Sequence, residues 1–286
     1  VENSGFDTFK AILKEGGRVK GIKFNNAEKF SRKIIDELTN WLKEQYKVKG
    51  LAWMKCINGE VLEGGISKFF NEKLHKQMIQ DLNISKGDIL FIIGDKQKIA
   101  LSALGALRLE LAKRNNLIDT KKWAPLWVID FPLFEWNDDH NRWDSLHHPF
   151  TSPNFEDINL LDQDPGKVRS LGYDIVMNGY EIGGGSIRIY DKKLQSKIFD
   201  LLGISNEEAN EKFGFLMNAF KYGAPPHGGM AFGFDRLIML LVGSRQIRDV
   251  IAFPKTTSAM SLMDNSPSGV DPTQLDDLGL SIKNKK

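Results

Sequence analysis

Two acids, Asp174 and Glu181, lie on either side of Asn178-Gly179 in the run Asp174-Ile175-Val176-Met177-Asn178-Gly179-Tyr180-Glu181. Asn-Gly between apolar runs predicts a two-residue hairpin, because both central residues of a type I′ turn need positive φ. With that loop Met177 faces Tyr180 and Val176 faces Glu181, so Asp174 projects from the same face as Glu181. Diagonal neighbours of this kind lie roughly 7–8 Å apart, a separation from which two carboxylates can converge on one hard cation such as Mg2+. Two solvated acids on the open face of a sheet would show the same spacing, and the geometry leaves both readings open.

Gly183-Gly184-Gly185 follows. Three glycines weaken a strand unless the strand bulges or something approaches its backbone closely. Arg188 lies an odd number of residues beyond Glu181, on the opposite face of a regular strand; a bulge at the glycines would bring both to one side. Arg188 is then a bidentate partner for a carboxylate or phosphate, or else an exposed edge-strand arginine. The segment from Gly228 to Leu237 reads as a Gly-lined strand turning directly into an apolar helix. Such a corner offers free backbone N–H groups to an anion, and Arg236 in the first turn adds a formal charge. Asp235 there is equally an ordinary helix-start acid.

His147 and His148 fall in a loop with Pro149 and Phe150. Neighbours in an extended chain point to opposite sides, so at most one is expected to face a site. No Gly-x-Ser-x-Gly elbow, Walker A run or Gly-x-Gly-x-x-Gly after a strand is present, which disfavours covalent serine chemistry and the P-loop and Rossmann classes. Cys56 reads as a small core residue of an apolar strand, and a single cysteine with five histidines argues against structural zinc and for a reducing, cytoplasmic setting.

These groups need a scaffold, and the chain has the material for one. Its 286 residues, 41% hydrophobic and 27% charged, suffice for one large domain or two ordinary ones. All ten prolines lie at or after Pro125, which predicts two units, 1–117 and 118–286. In the first, helical spacing runs from Phe30 to Tyr46, from Lys68 to Leu82 and from Ala100 to Leu117; strands are expected to end at Gly21–Phe24 and to span Leu51–Ile57 and Ile89–Gly94. In the second, strands are expected at Trp127–Phe131, Tyr173–Met177 and Tyr180–Tyr190, with helices at Lys192–Leu202 and Asn206–Phe220. Ser205 and Glu208 form a capping box for the last helix. The predicted class is α+β, an antiparallel sheet with flanking helices plus a smaller α+β unit. The longest fully apolar run, Leu237–Val242, is far too short to span a bilayer, and the polar start Val1-Glu2-Asn3-Ser4 is no signal peptide. An opening Val in place of Met implies a chain cut from something longer. A net charge of +2 means that contact with a polyanion must come from a local patch.

Taken together, Phe232-Gly233-Phe234-Asp235-Arg236, the run Gly179 to Arg188, and His147-His148-Pro149-Phe150-Thr151-Ser152-Pro153 resemble the bacterial-type aspartyl-tRNA synthetases. The segment 229–237 looks like motif 3 of class II synthetases, and Ile247 to Lys255 like the family's following segment. The first unit, with Leu104-Gly105-Ala106-Leu107-Arg108-Leu109, is similar to the domain that these enzymes insert between motifs 2 and 3 and share with a tRNA-dependent amidotransferase subunit.

The resemblance implies that Arg236 holds the γ-phosphate of ATP, with Gly233, Phe234 and Asp235 lining the nucleotide site. It implies that Asp174 and Glu181 hold magnesium, and that Arg188 grips the side-chain carboxylate of L-aspartate with His147 beside it. Ser186 would contribute only behind these groups. The implied reaction activates aspartate with ATP and passes the aspartyl group to the 3′ end of aspartate tRNA, with asparagine tRNA left open as a second substrate. The implied parent is a homodimer with no membrane association. Its anticodon barrel and motifs 1 and 2 are not found in this sequence, so the chain alone is expected to be catalytically crippled. The rival readings are a non-catalytic tRNA-binding paralogue or fragment and a magnesium-dependent phosphotransferase of another substrate class.

Overall fold

The computed structural model describes residues 1–283. It divides into two compact units, Val1–Lys121 and the chain from Lys122 on. The first contains α1 (Asp7–Lys14), β1 (Arg18–Phe24), α2 (Arg32–Tyr46), β2 (Ala52–Cys56), β3 (Leu62–Glu63), α3 (Glu72–Asp81), β4 (Ile89–Asp95) and α4 (Gln97–Arg114). Its sheet is antiparallel in the order β1-β4-β2-β3. Every residue of the central strand β4 is buried, so its period of two divides the apolar residues between two cores. Ile89, Phe91 and Ile93 pack with Leu38 and Leu42 of α2 and Leu107 and Leu111 of α4. Leu90 and Ile92 pack on the other face with Phe9 and Ile12 of α1 and with Met54 and Cys56.

Local chemistry sets the helix ends. Ser31 and Asn71 accept the N–H groups of Ile34 and Leu74, capping α2 and α3. Helix α3 begins at Glu72, four residues later than its apolar spacing implies, because Ser67–Phe69 form a separate 3-10 turn. Cys56 is fully buried in the core, and burial raises its thiol pKa.

The second unit contains β5 (Pro125–Val128), β6 (Phe134–Asn137), β7 (Arg142–Ser145), β8 (Gly172–Met177), β9 (Tyr180–Ile187), α5 (Lys192–Leu201), α6 (Asn206–Phe220), β10 (Gly228–Phe232), α7 (Phe234–Leu241) and α8 (Pro272–Asp277). Its main sheet is antiparallel in the order β10-β9-β8-β5. Leu133, Leu161, Ile189, Ile198 and Leu202 form a buried cluster beside it. The hairpin register is Val176 against Glu181 and Met177 against Tyr180, with Asn178 at φ 52° and Gly179 at φ 87°. Asn178 has a second role: its side chain accepts the Ala124 N–H at 2.9 Å and donates to the Lys122 carbonyl at 3.0 Å, leading the chain into β5. Ser205 caps α6 through the Glu208 N–H at 3.2 Å.

In the second unit the strand expected at Tyr180–Tyr190 ends at Ile187, and two further features differ from the sequence reading. The strand expected at Trp127–Phe131 spans Pro125–Val128, because Asp130 turns to φ 58° and the Phe131 carbonyl leaves to accept the Ser170 N–H at 2.7 Å. Pro125 is tolerated as the first residue of an edge strand. The hairpin β6–β7, held partly by the Trp136–Trp143 ring pair at 5.2 Å, is not among the expected strands: Phe134-Glu135-Trp136-Asn137 alternates apolar and polar residues, but each strand is only four residues long and Phe134 alone is buried.

Phe91 is fully buried at the centre of the first unit and meets the Phe30 ring edge-on at 5.3 Å. Phe91→Ala is expected to cost about 3–5 kcal/mol, read as a lowered urea midpoint for the chain.

Candidate active site

The register of β8 against β9 slips by one between Ile175 and Val176: Val176 faces Glu181, but Ile175 faces Gly183. Ile182 is thus an extra residue in β9, a bulge one position ahead of the glycines where it was expected. Its effect is on parity. Asp174 faces Gly184, so Gly184, Ser186 and Arg188 share a face with Asp174, and the bulge turns Glu181 onto that face as well.

The bulge also frees two carbonyls that hold the start of α7. The Gly233 N–H donates to Ile182 O at 2.8 Å, and Arg236 Nη1 donates to Glu181 O at 2.8 Å. Arg236 additionally stands 3.8 Å from the Glu181 carboxylate, with both side chains about half exposed.

Small residues make this face concave. Across β8, β9 and β10 one row reads Asp174, Gly184, Ala231 and the next Gly172, Ser186, Gly229. A Cβ on Gly184 would fall 2.2 Å from the Asp174 carboxylate, and one on Gly185 would fall 1.9 Å from the Gly229 carbonyl. The glycines are therefore required by close approach of a carboxylate and of a neighbouring backbone. The result is a cleft of about 400 Å³ whose lining includes Asp174, Glu181, Arg188, Gly233 and Arg236. Phe234 and Asp235 are exposed and are not among its lining residues.

Both histidines line the cleft, contrary to the expectation that one would turn away. The chain is not extended there: it bends at His147 and turns at Pro149–Phe150, with the Thr151 N–H bonded to His148 O at 3.2 Å. The imidazole beside Arg188 is that of His148 and not His147. Arg188 Nη1 donates to the ring, 2.8 Å from Nδ1, with a still closer approach to Nε2. His147 packs edge-on against Phe131 at 4.8 Å. The His-His sequence marks the place but cannot say which ring reaches the arginine. Two further residues were not identified from sequence: Thr151, whose buried hydroxyl lies 3.4 Å from both the Ser186 hydroxyl and the His148 ring, and Gln195, which is fully buried and donates to Pro149 O at 2.8 Å.

The electrostatics favour an anion. Among the described residues Arg188 has no carboxylate partner, and burial lowers its pKa from the ordinary guanidinium value. The His148 pKa is pushed down to about 4, first by burial and then by the charges of Arg188 and His147. The ring is therefore a neutral acceptor at physiological pH. Arg169 in the same unit is neutralised by contrast: it pairs with Asp157 at 2.8 Å and Glu156 at 3.0 Å, which raises its pKa. Among the described residues no three metal-binding side chains gather, but Asp174 and Glu181 suit Mg2+, which takes one or two carboxylates and completes its shell with water and phosphate.

The sequence matches the model of the class II tRNA synthetases (D, K and N) over residues 10–257. The chain belongs to this family. It is 50% identical over 282 residues to an aspartate–tRNA(Asp/Asn) ligase from Caldanaerobacter subterraneus subsp. tengcongensis, covering 99% of this chain and 47% of that protein. It is also 50% identical over 283 residues to an aspartate–tRNA ligase from Lysinibacillus sphaericus, covering 99% of this chain and 48% of the relative. The chain thus spans about half the length of the curated relatives it matches. Among the described residues no helix is long and apolar enough to cross a membrane.

Because the His148 pKa in the folded chain lies below the free value of 6.5, the stability tied to its neutral ring is present above about pH 6.5 and is lost as the pH falls towards about 4. An NMR titration of the His148 ring is expected to give a midpoint near pH 4, and Arg188→Ala is expected to move it upwards.

Proposed function

We propose that this chain forms part of an aspartate–tRNA ligase that activates L-aspartate with ATP and transfers it to tRNA. One observation carries the reading: Arg188, a half-buried guanidinium without a carboxylate partner among the described residues, shares a cleft with Arg236 and with the acids Asp174 and Glu181. The family and the names of its close relatives supply the substrates that suit such a cleft.

In this reading Arg188 holds the side-chain carboxylate of aspartate as a bidentate pair. His148 is the neutral neighbour that leaves the guanidinium free for it. Asparagine is rejected because a neutral amide would leave a buried cation without its charge partner. Arg236, whose side chain is half exposed, holds the outer phosphates of ATP and exchanges its contact with the Glu181 carboxylate for them. Gly233 lets the nucleotide approach the start of α7. Asp174 and Glu181 hold the magnesium, whose charge neutralises the phosphates.

The aspartate α-carboxylate then displaces pyrophosphate from the α-phosphorus of ATP, forming a mixed anhydride, and the terminal ribose hydroxyl of the tRNA displaces AMP from it. Displacement at phosphorus requires alignment and charge neutralisation more than a protein nucleophile, and these side chains provide both. Homodimerisation, action on asparagine tRNA and the reading of residues 1–117 as an inserted domain belong to the same proposal and concern the whole protein.

Aspartate-dependent ATP–pyrophosphate exchange by the whole protein tests this function. Arg188→Gln is expected to weaken aspartate on the order of a hundredfold while leaving ATP binding unchanged by calorimetry; ATP binding with no response to aspartate would favour the phosphotransferase alternative. Gly184→Ala, which forces the Asp174 carboxylate aside, is expected to raise the Mg2+ concentration needed for half-maximal exchange about tenfold or more, with the KM for aspartate little changed.

A further inference from the structure

The two units carry opposite charge. Residues 1–121 hold 22 Lys and Arg against 15 Asp and Glu, whereas the chain from Lys122 on holds 17 against 22. The overall charge of +2 conceals a basic unit and an acidic one. Part of the basic excess collects at one end of the first sheet, where a buried acid organises it. Arg18 opens β1 directly opposite Asp95, the last residue of β4. The Asp95 carboxylate is buried and accepts the backbone N–H of Lys96 at 2.8 Å and of Lys49 at 3.2 Å.

Since β1 and β2 flank β4 and neighbouring strands lie about 4.8 Å apart, Arg18, Lys96 and the approach to β2 at Lys49 extend across roughly 10 Å. Lys47, at φ 59°, ends α2 and turns the chain into the same loop. Arg18, Lys47, Lys49 and Lys96 are exposed, and among the described residues none is ion-paired. The Asp95 carboxylate is directed to backbone N–H groups; Glu15 and Glu44 are the exposed acids nearest in sequence.

We propose that this sheet end contacts RNA phosphates, specifically the backbone of the tRNA substrate, an inference that rests on the functional reading above. A protein whose acidic unit carries the cleft needs a cationic surface elsewhere to attract a polyanion. The Lys47 ammonium donates to the Glu44 carbonyl at 2.9 Å and Arg18 to the Gly17 carbonyl at 3.3 Å, bonds that a phosphate can replace. Cations on a backbone fixed by one buried acid suit successive phosphates, which are bound as point charges without sequence information.

The test compares binding of an aspartate tRNA transcript to the 286-residue chain between about 50 and 200 mM salt for three proteins. These are the wild type, Lys47→Glu/Lys49→Glu/Lys96→Glu, and the charge-matched control Lys73→Glu/Lys76→Glu/Lys86→Glu, each checked for native circular dichroism. The first variant is expected to weaken binding at least about tenfold at low salt and to flatten the slope of log affinity against log salt by about 2–3. The control is expected to stay within about threefold of wild type. The milder Lys→Ala triple at the same three positions should give the same pattern at smaller size. Equal weakening by the two Glu triples, or no tRNA binding by the wild type at low salt, overturns the proposal. So does a patch variant that keeps tRNA but loses polyglutamate, which would make the partner an acidic protein. If this pattern holds while the whole protein shows no aspartate-dependent exchange, the functional reading fails and the RNA contact stands.

Discussion

The extra residue in β9 is the constraint on which the cleft depends. Without Ile182 the strand would keep its alternation, and Glu181 would point away from Asp174, Ser186 and Arg188. With it, all four stand on one face, and the unpaired carbonyls of Glu181 and Ile182 accept Arg236 and the Gly233 N–H. One inserted residue thereby sets the parity of the acids and joins the strand-to-helix corner at Gly233 and Arg236 to the hairpin. The burial of the Ile182 side chain, 2% exposed, holds the bulge in place.

Around that constraint the site is shaped by what is left out. Glycine and alanine fill the remaining positions of the two rows that hold Asp174 and Ser186, so three strands present a hollow where larger side chains would present a surface. The hollow is electrostatically poised. Arg188 is kept partly from water beside a neutral imidazole, a costly position for a cation that an anionic ligand would relieve. Arg169 differs: three nearby carboxylates, those of Asp157, Glu156 and Asp130, neutralise it, so its role is to tie the 155–169 region together.

Much of the fold was legible because it rests on local chemistry and periodicity. Helices α2 and α6, strand β4, the Asn178-Gly179 hairpin and the Ser205 cap follow from spacing and turn residues that tertiary contacts did not override. The ends were less legible: β5 stops early through the positive φ of Asp130, which no apolar pattern records. At the site, the residue types were readable and their partners were not. The family resemblance implied His147 beside Arg188, whereas a bend before Pro149 puts the His148 ring against the guanidinium and leaves His147 elsewhere on the lining of the same cleft.

By itself the sequence determined the family, the residue types of the cleft and the hairpin register up to Val176 and Glu181, because these depend on composition, turn chemistry and neighbours within a few positions. Only the tertiary structure decided the position of the bulge, the imidazole that meets Arg188 and the docking of the start of α7 on the carbonyls of Glu181 and Ile182. Each of those depends on a contact between segments distant in sequence, α7 against β9 or the His-Pro turn against the end of β9, and such contacts leave no periodic trace in the chain.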